Sequence, residues 1–239
     1  MPCTTTFDDV TPLPVLRPST PHTAIEAFPW DYVTHSDGHA PSPSPTLKRL
    51  EDIFLGALFV SIAAIPMLVV ALCLKVSYPR QSVLFSQWRT GLYGKRFRIL
   101  KFRTMLCSED GDSVRQADKH DPRTTRLGRF LRRTSLDEFP QFLQVLTGEL
   151  SLVGPRPHAI AHDEYYRARI PGYALRYATK PGITGWAQVN GHRGATDTVE
   201  KMQARVAHDL TYLRNWSITN DIRIVLKTIF GTKTRQNAF

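Results

Sequence analysis

The chain has 239 residues, 42% of them apolar and 22% charged, enough for one domain of ordinary size plus extra segments and for a packed core. Lys and Arg number 31 against 21 Asp and Glu, a formal balance of +10. That balance fits either a plain solubilising surface or an anionic partner such as nucleic acid, phospholipid headgroups or a phosphorylated substrate. Cys3, Cys73 and Cys107 lie far apart without CxxC spacing, which argues against a disulfide framework or a cysteine zinc site and fits a reducing compartment.

Residues 1–46 carry nine prolines among Ser and Thr. Such a segment cannot bury enough apolar area to offset its ordering entropy, so it reads as disordered. It has no basic start followed by an apolar stretch, so it does not read as a signal peptide. Lys48 and Arg49 then precede an uncharged apolar run, Ile53 to Leu74, near the ~20 residues a membrane helix needs. Pro66 sits inside this run and predicts a kink, because it removes a backbone hydrogen bond and crowds the preceding turn. The two halves would be roughly 20 and 17 Å long, each shorter than a ~30 Å hydrocarbon core. Both flanks are basic: Lys48 and Arg49 before the run, Lys75, Arg80, Arg89, Lys95, Arg96 and Arg98 after it. Positive charge gathers on the cytoplasmic side, so a helix that enters one leaflet and returns keeps both flanks inside. A straight span is the alternative. A soluble buried helix fits less well, since the run is apolar on all faces.

From Ser82 onward the pattern is globular and cytoplasmic. Phe97–Arg103 alternates as a short strand, and 107–125 reads as polar loop. Leu136 to Leu146 has a helical apolar pattern, and a further helix is expected to begin within Arg156–Tyr166. Lys180-Pro181-Gly182 and Asn190-Gly191 mark turns. Thr198–Tyr212 and Ile218–Phe230 read as helices. The expected fold is therefore an α-rich α+β protein, with a re-entrant membrane helix hairpin and a cytoplasmic catalytic domain holding a few short strands. The expected divisions are 1–46 disordered, 47–80 re-entrant helix, 81–232 catalytic domain and 233–239 tail.

Asp137 and Glu138 stand side by side at the start of an apolar helical pattern. Asp137 would serve as an N-cap, Pro140 would fit the first turn, and Ser135 with Glu138 matches a capping box. The same geometry also suits chemistry. A carboxylate at a helix start stays ionised beside N–H groups that can hold a phosphate. An ionised Asp is a competent nucleophile toward phosphorus, and a neighbouring Glu could hold Mg²⁺ through a hard oxygen. The rigid turn Gly154-Pro155-Arg156-Pro157 fixes an Arg whose fork suits phosphate; a solvated Arg on an ordinary turn is the plain alternative. Lys101 and Arg103 bracket Phe102 and would share one strand face. His158 and His162 have the i,i+4 spacing of metal ligands, but no third ligand is evident.

Taken in order, these segments resemble the monotopic phosphoglycosyl transferases, the bacterial sugar-transferase family that starts lipid-linked polysaccharide assembly. The resemblance runs from about Lys48 to Phe230. It rests on Lys48-Arg49…Asp52, the Pro-broken apolar run, Lys101-Phe102-Arg103-Thr104-Met105, Asp121-Pro122-Arg123, Ser135-Leu136-Asp137-Glu138-Phe139-Pro140-Gln141, Ser151-Leu152-Val153-Gly154-Pro155-Arg156-Pro157 and Lys180-Pro181-Gly182-Ile183-Thr184-Gly185-Trp186. Each motif alone is weak, but the ordered set is specific.

The resemblance implies a re-entrant membrane helix with the catalytic part facing the cytoplasm of a bacterial inner membrane. Asp137 would attack the β-phosphate of a UDP-sugar, releasing UMP and leaving a phosphosugar–aspartate. Undecaprenyl phosphate would then attack that intermediate. Glu138 would coordinate Mg²⁺, and Lys101, Arg103, Arg132 and Arg156 would be the cations that bind substrate phosphate. Ile65 stands before Pro66, where some members carry a Ser whose backbone bond is thus missing here. The large multi-span N-terminal region of the long members is not expected. Pro157-His158-Ala159 and Gly191–Asp197 look most like members that move glucose-1-phosphate, with galactose-1-phosphate second. The expected partners are the UDP-sugar, undecaprenyl phosphate and inner-leaflet phospholipid, with no nucleic acid. The rival from another class is a non-enzymatic, membrane-tethered basic protein, which would need a basic stripe with interleaved aromatics.

Overall fold

A computed structural model describes residues 44–106, 121–194, 196 and 198–231. Nearly all of the Pro-rich segment read as disordered, the greater part of the polar stretch 107–125 and the C-terminal tail lie outside these residues.

Helix α1 spans Pro45–Ser77, with Pro45 in the first turn, where a missing N–H does no harm. It runs unbroken through Pro66, as one helix of 33 residues rather than two halves, roughly 50 Å long at ~1.5 Å per residue. Proline costs one backbone bond, and the turns on either side hold the helix together across it. One face is bare: Phe54, Ile62, Ile65, Leu68, Leu72 and Val76 are all exposed. By length and composition the helix could cross a membrane.

The other face packs lengthwise on the rest of the chain. Near the N-terminal end, Lys48 Nζ pairs with Asp221 Oδ2 at 2.6 Å, and Asp52 Oδ1 accepts from Ser151 Oγ and the Leu152 amide at 2.8 and 2.9 Å. Arg49 donates to the Val145 and Leu146 carbonyls at 2.7 and 2.6 Å, satisfying acceptors that a helix end leaves open. Phe59 stacks on Phe142 with ring centres 5.2 Å apart. At the other end, Val70 and Leu74 are buried with Phe102 and Leu131 in a separate apolar cluster. Both ends of α1 thus touch the same body.

That body begins with β1 (Leu84–Thr90) and β2 (Arg96–Phe102), paired antiparallel from Leu84↔Phe102 to Thr90↔Arg96. Then come α2 (Arg126–Thr134), a 3-10 turn at Leu136–Glu138, and α3 (Gln141–Thr147). Strand β3 (Ser151–Val153) pairs in parallel with β4 (Gly182–Thr184), and between them lie α4 (Ile160–Arg167) and a 3-10 segment Tyr173–Ala178. Helices α5 (Trp186–Val189), α6 (Val199–Arg214) and α7 (Ile218–Phe230) complete the order. The helix-rich α+β expectation holds. The main core joins Phe97 and Ile99 of β2 to Val145, Leu150, Leu152, Val153, Tyr212 and Ile224. A second core of Tyr166, Tyr173 and Tyr177 packs on Met202 and Val206 of α6.

Strand β1 and helix α2 are absent from the sequence reading. The fourth helix also starts later than Arg156, at Ile160. Helices α6 and α7 fall where their patterns put them, with Thr198 and Ser217 accepting from Lys201 and Asn220 amides as N-caps.

Candidate active site

The capping reading of Ser135, Asp137 and Glu138 does not hold. Ser135 takes a left-handed backbone, φ 59°, and makes no side-chain cap bond. Asp137 and Glu138 lie in the 3-10 turn before α3, whose N-cap position is Pro140 with no capping side chain. Glu138 turns away from the local backbone toward two cations from distant segments. Lys101 Nζ, carried by β2, meets Glu138 Oε1 at 2.8 Å. Arg156, on the turn after β3, reaches both carboxylate oxygens, with Nη1 3.3 Å from Oε2 and Nη2 on Oε1. This is the fork-to-carboxylate pairing that arginine favours.

The two neighbouring carboxylates are pushed apart electrostatically. Burial alone would raise Glu138, but Arg156 and Lys101 outweigh it and hold the carboxyl well below its usual range. Asp137 is buried too, 7% exposed, yet its carboxylate has no hydrogen-bond partner among the described residues. Burial lifts its pKa to about 6, and the Glu138 charge adds to this against the pull of Lys101, Arg132 and Arg156. The result is a buried carboxylate with free lone pairs beside one that is held by two cations.

Arg156 is set by its backbone. The Gly154 amide donates to Thr184 O at 2.8 Å and the Gly182 amide to Pro155 O at 2.9 Å. The strands approach so closely that a Cβ at Gly182 would lie 2.1 Å from the Gly154 nitrogen. Behind the turn, Arg176 is 2% exposed. It donates to the Arg156 carbonyl at 2.8 Å while its fork is held by Asp209 at 2.7 Å. Sequence reasoning missed Arg176. The available signal was a lone cation inside the aromatic stretch Tyr173–Tyr177, which is rarely buried unless paired.

Other expected site residues differ in placement. Arg132 reaches the site by its field, since its Nε donates to Thr104 Oγ1 at 3.0 Å while its charge acts on Asp137. Arg103 donates instead to Ser82 O and Oγ, both at 3.0 Å. It lines a small open pocket with Leu74, Tyr78, Met105 and Thr125, and no contact ties it to Asp137 or Glu138. His158 faces Arg176 through Nδ1 and Arg205 through Nε2. Burial and these cations keep it neutral, and the same positive field disfavours a metal there. Arg193 was not among the expected phosphate-binding cations, yet Nη2 donates to Ser135 Oγ at 2.9 Å, directly before the acidic turn.

Among the described residues no group of three or more His, Cys, Asp or Glu side chains is arranged to hold a metal. A substrate-completed Mg²⁺ site needs less than that: one or two carboxylates, with phosphate oxygens and waters supplying the rest. Glu138 fits in kind, because Oε2 accepts a single long bond and retains a free lone pair.

A buried Asp137 beside a half-buried Glu138, with lysine and arginine around them in front of the Gly-Pro-Arg-Pro turn, makes a candidate site for phosphoryl chemistry. The model of the bacterial sugar transferase family matches residues 44–235, and the chain belongs to that family. It is 54% identical over 184 residues to a UDP-glucose:undecaprenyl-phosphate glucose-1-phosphate transferase of Escherichia coli, covering 77% of this chain and 39% of that protein. It is 52% identical over 192 residues to a protein of the same name from Caulobacter vibrioides, covering 80% of this chain and 72% of that one. A UDP-galactose-lipid carrier transferase of Erwinia amylovora is 37% identical over 219 residues, covering 85% of this chain and 44% of that protein. The chain thus spans about two fifths of the E. coli relative's length.

Proposed function

We propose that this chain moves a hexose-1-phosphate, glucose-1-phosphate first among them, from a UDP-sugar to undecaprenyl phosphate and so starts a lipid-linked glycan such as an exopolysaccharide. The observation that carries the reading is the pairing of a buried, unpartnered Asp137 carboxylate with a Glu138 tied to Lys101 and Arg156. Glucose is favoured over galactose because the relatives named for glucose are 43–54% identical and one named for galactose 37%. A non-enzymatic basic tether is disfavoured, because the cations converge on one acidic pair instead of forming a stripe.

Asp137 Oδ attacks the β-phosphorus, and the bond from that phosphorus to the bridging oxygen breaks. UMP leaves with the electron pair, and no proton need move. An oxygen of undecaprenyl phosphate then attacks the same phosphorus and displaces Asp137, regenerating the carboxylate. Lys101 and Arg156, oriented by Glu138, offset charge on the phosphoryl oxygens as each anionic nucleophile approaches. A Mg²⁺ bound to Glu138 would add charge neutralisation to the pyrophosphate.

Placement in one leaflet, with the catalytic body in the cytoplasm, accounts for α1. Its bare apolar stripe suits lipid, and both of its ends are bound to a single polar body. The bond missing at Pro66 supplies a point where such a re-entrant helix can bend.

The test is release of UMP from UDP-glucose by the protein in native membrane lipid, with a panel of UDP-sugars in parallel. Asp137→Asn keeps the shape and removes the attacking charge, so UMP release should fall by at least a thousandfold with the fold intact. Turnover by that variant within tenfold of the parent would sink the nucleophile assignment.

A further inference from the structure

Near its N-terminal end, helix α1 is fastened to the body by four charged side chains. Lys48 Nζ lies 2.6 Å from Asp221 Oδ2, 3.3 Å from Asp52 Oδ1 and 3.5 Å from Glu51 Oε2. The three acidic side chains are 0, 1 and 6% exposed in that order, so three buried carboxyls share one ammonium. Among the described residues no second cation bonds to them. Arg49 donates to the Val145 and Leu146 carbonyls, and Lys180, just before β4, acts on Asp52 only through its field.

Each carboxyl leaves one oxygen over. Glu51 Oε1, Asp52 Oδ2 and Asp221 Oδ1 are buried and receive no hydrogen bond from any donor. Like charges gathered in a buried site disfavour ionisation, so one carboxyl of such a group keeps its proton. A protonated carboxyl can also donate, which gives an unpaired oxygen its partner.

The donors around each group show which one keeps it. Asp221 Oδ2 accepts from Lys48, from Trp216 Nε1 at 3.1 Å and from Tyr212 OH at 3.2 Å. Asp52 Oδ1 accepts from Lys48, Ser151 Oγ and the Leu152 amide. Glu51 has only its long contact with Lys48. Donors favour the charged form of a carboxyl, and Glu51 has the fewest. Its carboxyl lies within hydrogen-bonding reach of Asp221, and burial, opposed by Lys48 and reinforced by Asp221 and Asp52, pushes it up to about 7. Glu51 stands before the uncharged run that opens at Ile53.

We infer that Glu51 is a carboxylic acid whose O–H closes this clamp onto an unpaired oxygen of Asp221 or Asp52, and that it thereby positions the strand presenting Arg156. Asp52 seats Ser151 and Leu152 of β3. Tyr212 joins Asp221 to the Val153 carbonyl, 3.1 Å from its hydroxyl. The Gly154-Pro155-Arg156 turn follows directly. An ionised Glu51 would set a third negative charge against Asp52 and Asp221 and loosen that seat. The link to Arg156 rests on the proposed activity; the proton on Glu51 does not.

Glu51→Gln is the permanently neutral counterpart, with an amide N–H that can donate where the acid does. Parent and variant are compared in native lipid. Protection of the Leu152 amide against hydrogen exchange is corrected for the intrinsic rate and referred to amides of the β1–β2 pair. It should fall at least tenfold in the parent between pH 6 and 8.5 and stay level in Glu51→Gln. A raised carboxyl favours the folded state most below its unfolded value, and that contribution is lost as pH rises through about 7. The variant should therefore gain on the parent in thermal midpoint from pH 5 to 7 and hold the gain above. UMP release by the variant, relative to the parent, should rise at least threefold from pH 6 to 8.5. Parallel exchange profiles in the two proteins overturn the proton site, as does a midpoint difference that ignores pH. If Glu51→Gln does not fold, the parent decides alone: level Leu152 protection across the range overturns the proposal, and a tenfold fall supports it. Divergent exchange with a constant ratio of UMP release overturns the positioning of Arg156. A parent that releases no UMP from any UDP-sugar sinks the proposed activity instead, and exchange still decides on the proton.

Discussion

Asp137 and Glu138 are adjacent in sequence, yet the fold gives them opposite electrostatic environments. Asp137 is pushed up to about 6, first by burial and then by its neighbour, while Glu138 is held well below its usual range by Arg156 and Lys101. If Asp137 is the nucleophile proposed above it must be ionised to attack, so kcat/KM for UDP-glucose should fall as pH drops through about 6, by about tenfold per unit below it. A flat profile between pH 5 and 7 would contradict this. The same shift sets a stability prediction of opposite sign to activity. A carboxyl whose folded pKa is raised favours the native state most below its unfolded value, near 4, and that contribution is lost as pH rises through 6. Asp137→Asn should therefore be inactive but more stable than the parent at pH 7.5, by about 3 kcal/mol. The two should converge below pH 4. Thermal midpoints across that range test it, and an unchanged midpoint at pH 7.5 would mean that the site already compensates the charge.

At the scale of elements, legibility followed where the buried positions are apolar. Strand β2 was readable because Phe97 and Ile99 alternate with Arg96 and Arg98, and α7 because its core residue Ile224 lies in a periodic pattern. Strand β1 was not, since its most buried residues are Gln87 and Thr90. Helix α2 offers the core one fully buried leucine, Leu131, between an exposed Phe130 and Arg132. At the acidic turn, local rules favoured a capping box, but Lys101 and Arg156 arrive from remote segments and claim the Glu138 carboxylate. Arg176 and Arg193 likewise act through contacts that no local pattern encodes. The turn presenting Arg156 depends on glycine at the strand contact. A Cβ at Gly182 would meet the Gly154 nitrogen at 2.1 Å and Thr184 O at 2.5 Å. Gly182→Ala should part β3 from β4, cost about 1–3 kcal/mol through overpacking, and lower UMP release at least tenfold by displacing Arg156. Parental activity with a parental melting point would show that the strands can yield without moving that arginine.

For the molecule as a whole, the continuity of α1 changes the account of how it could sit in a membrane. A proline-driven hairpin is not required to keep both ends on one side. Lys48 is bonded to Asp221, Asp52 to Ser151 and Leu152, and Leu74 is buried with Phe102 and Leu131. A straight span would put ~30 Å of hydrocarbon between the two ends, and one set of these contacts would have to break, exposing Asp221 and Asp52 without their partners. Leaving buried charges unpaired costs several kcal/mol, so the end contacts, more than Pro66, should set the topology. Cysteines placed at Thr46 and Arg80, in a chain with Cys3, Cys73 and Cys107 replaced by Ser, should both resist an impermeant thiol reagent outside intact cells. Both should react once the membrane is opened. Pro66→Leu restores the missing backbone bond and straightens any bend, yet the same labelling pattern should persist, because the clamps at both ends are untouched. External labelling at position 46 in the parent would establish a full span. External labelling there only in Pro66→Leu would show that the proline, and not the contacts at Lys48, Asp52 and Leu74, keeps the helix on one side.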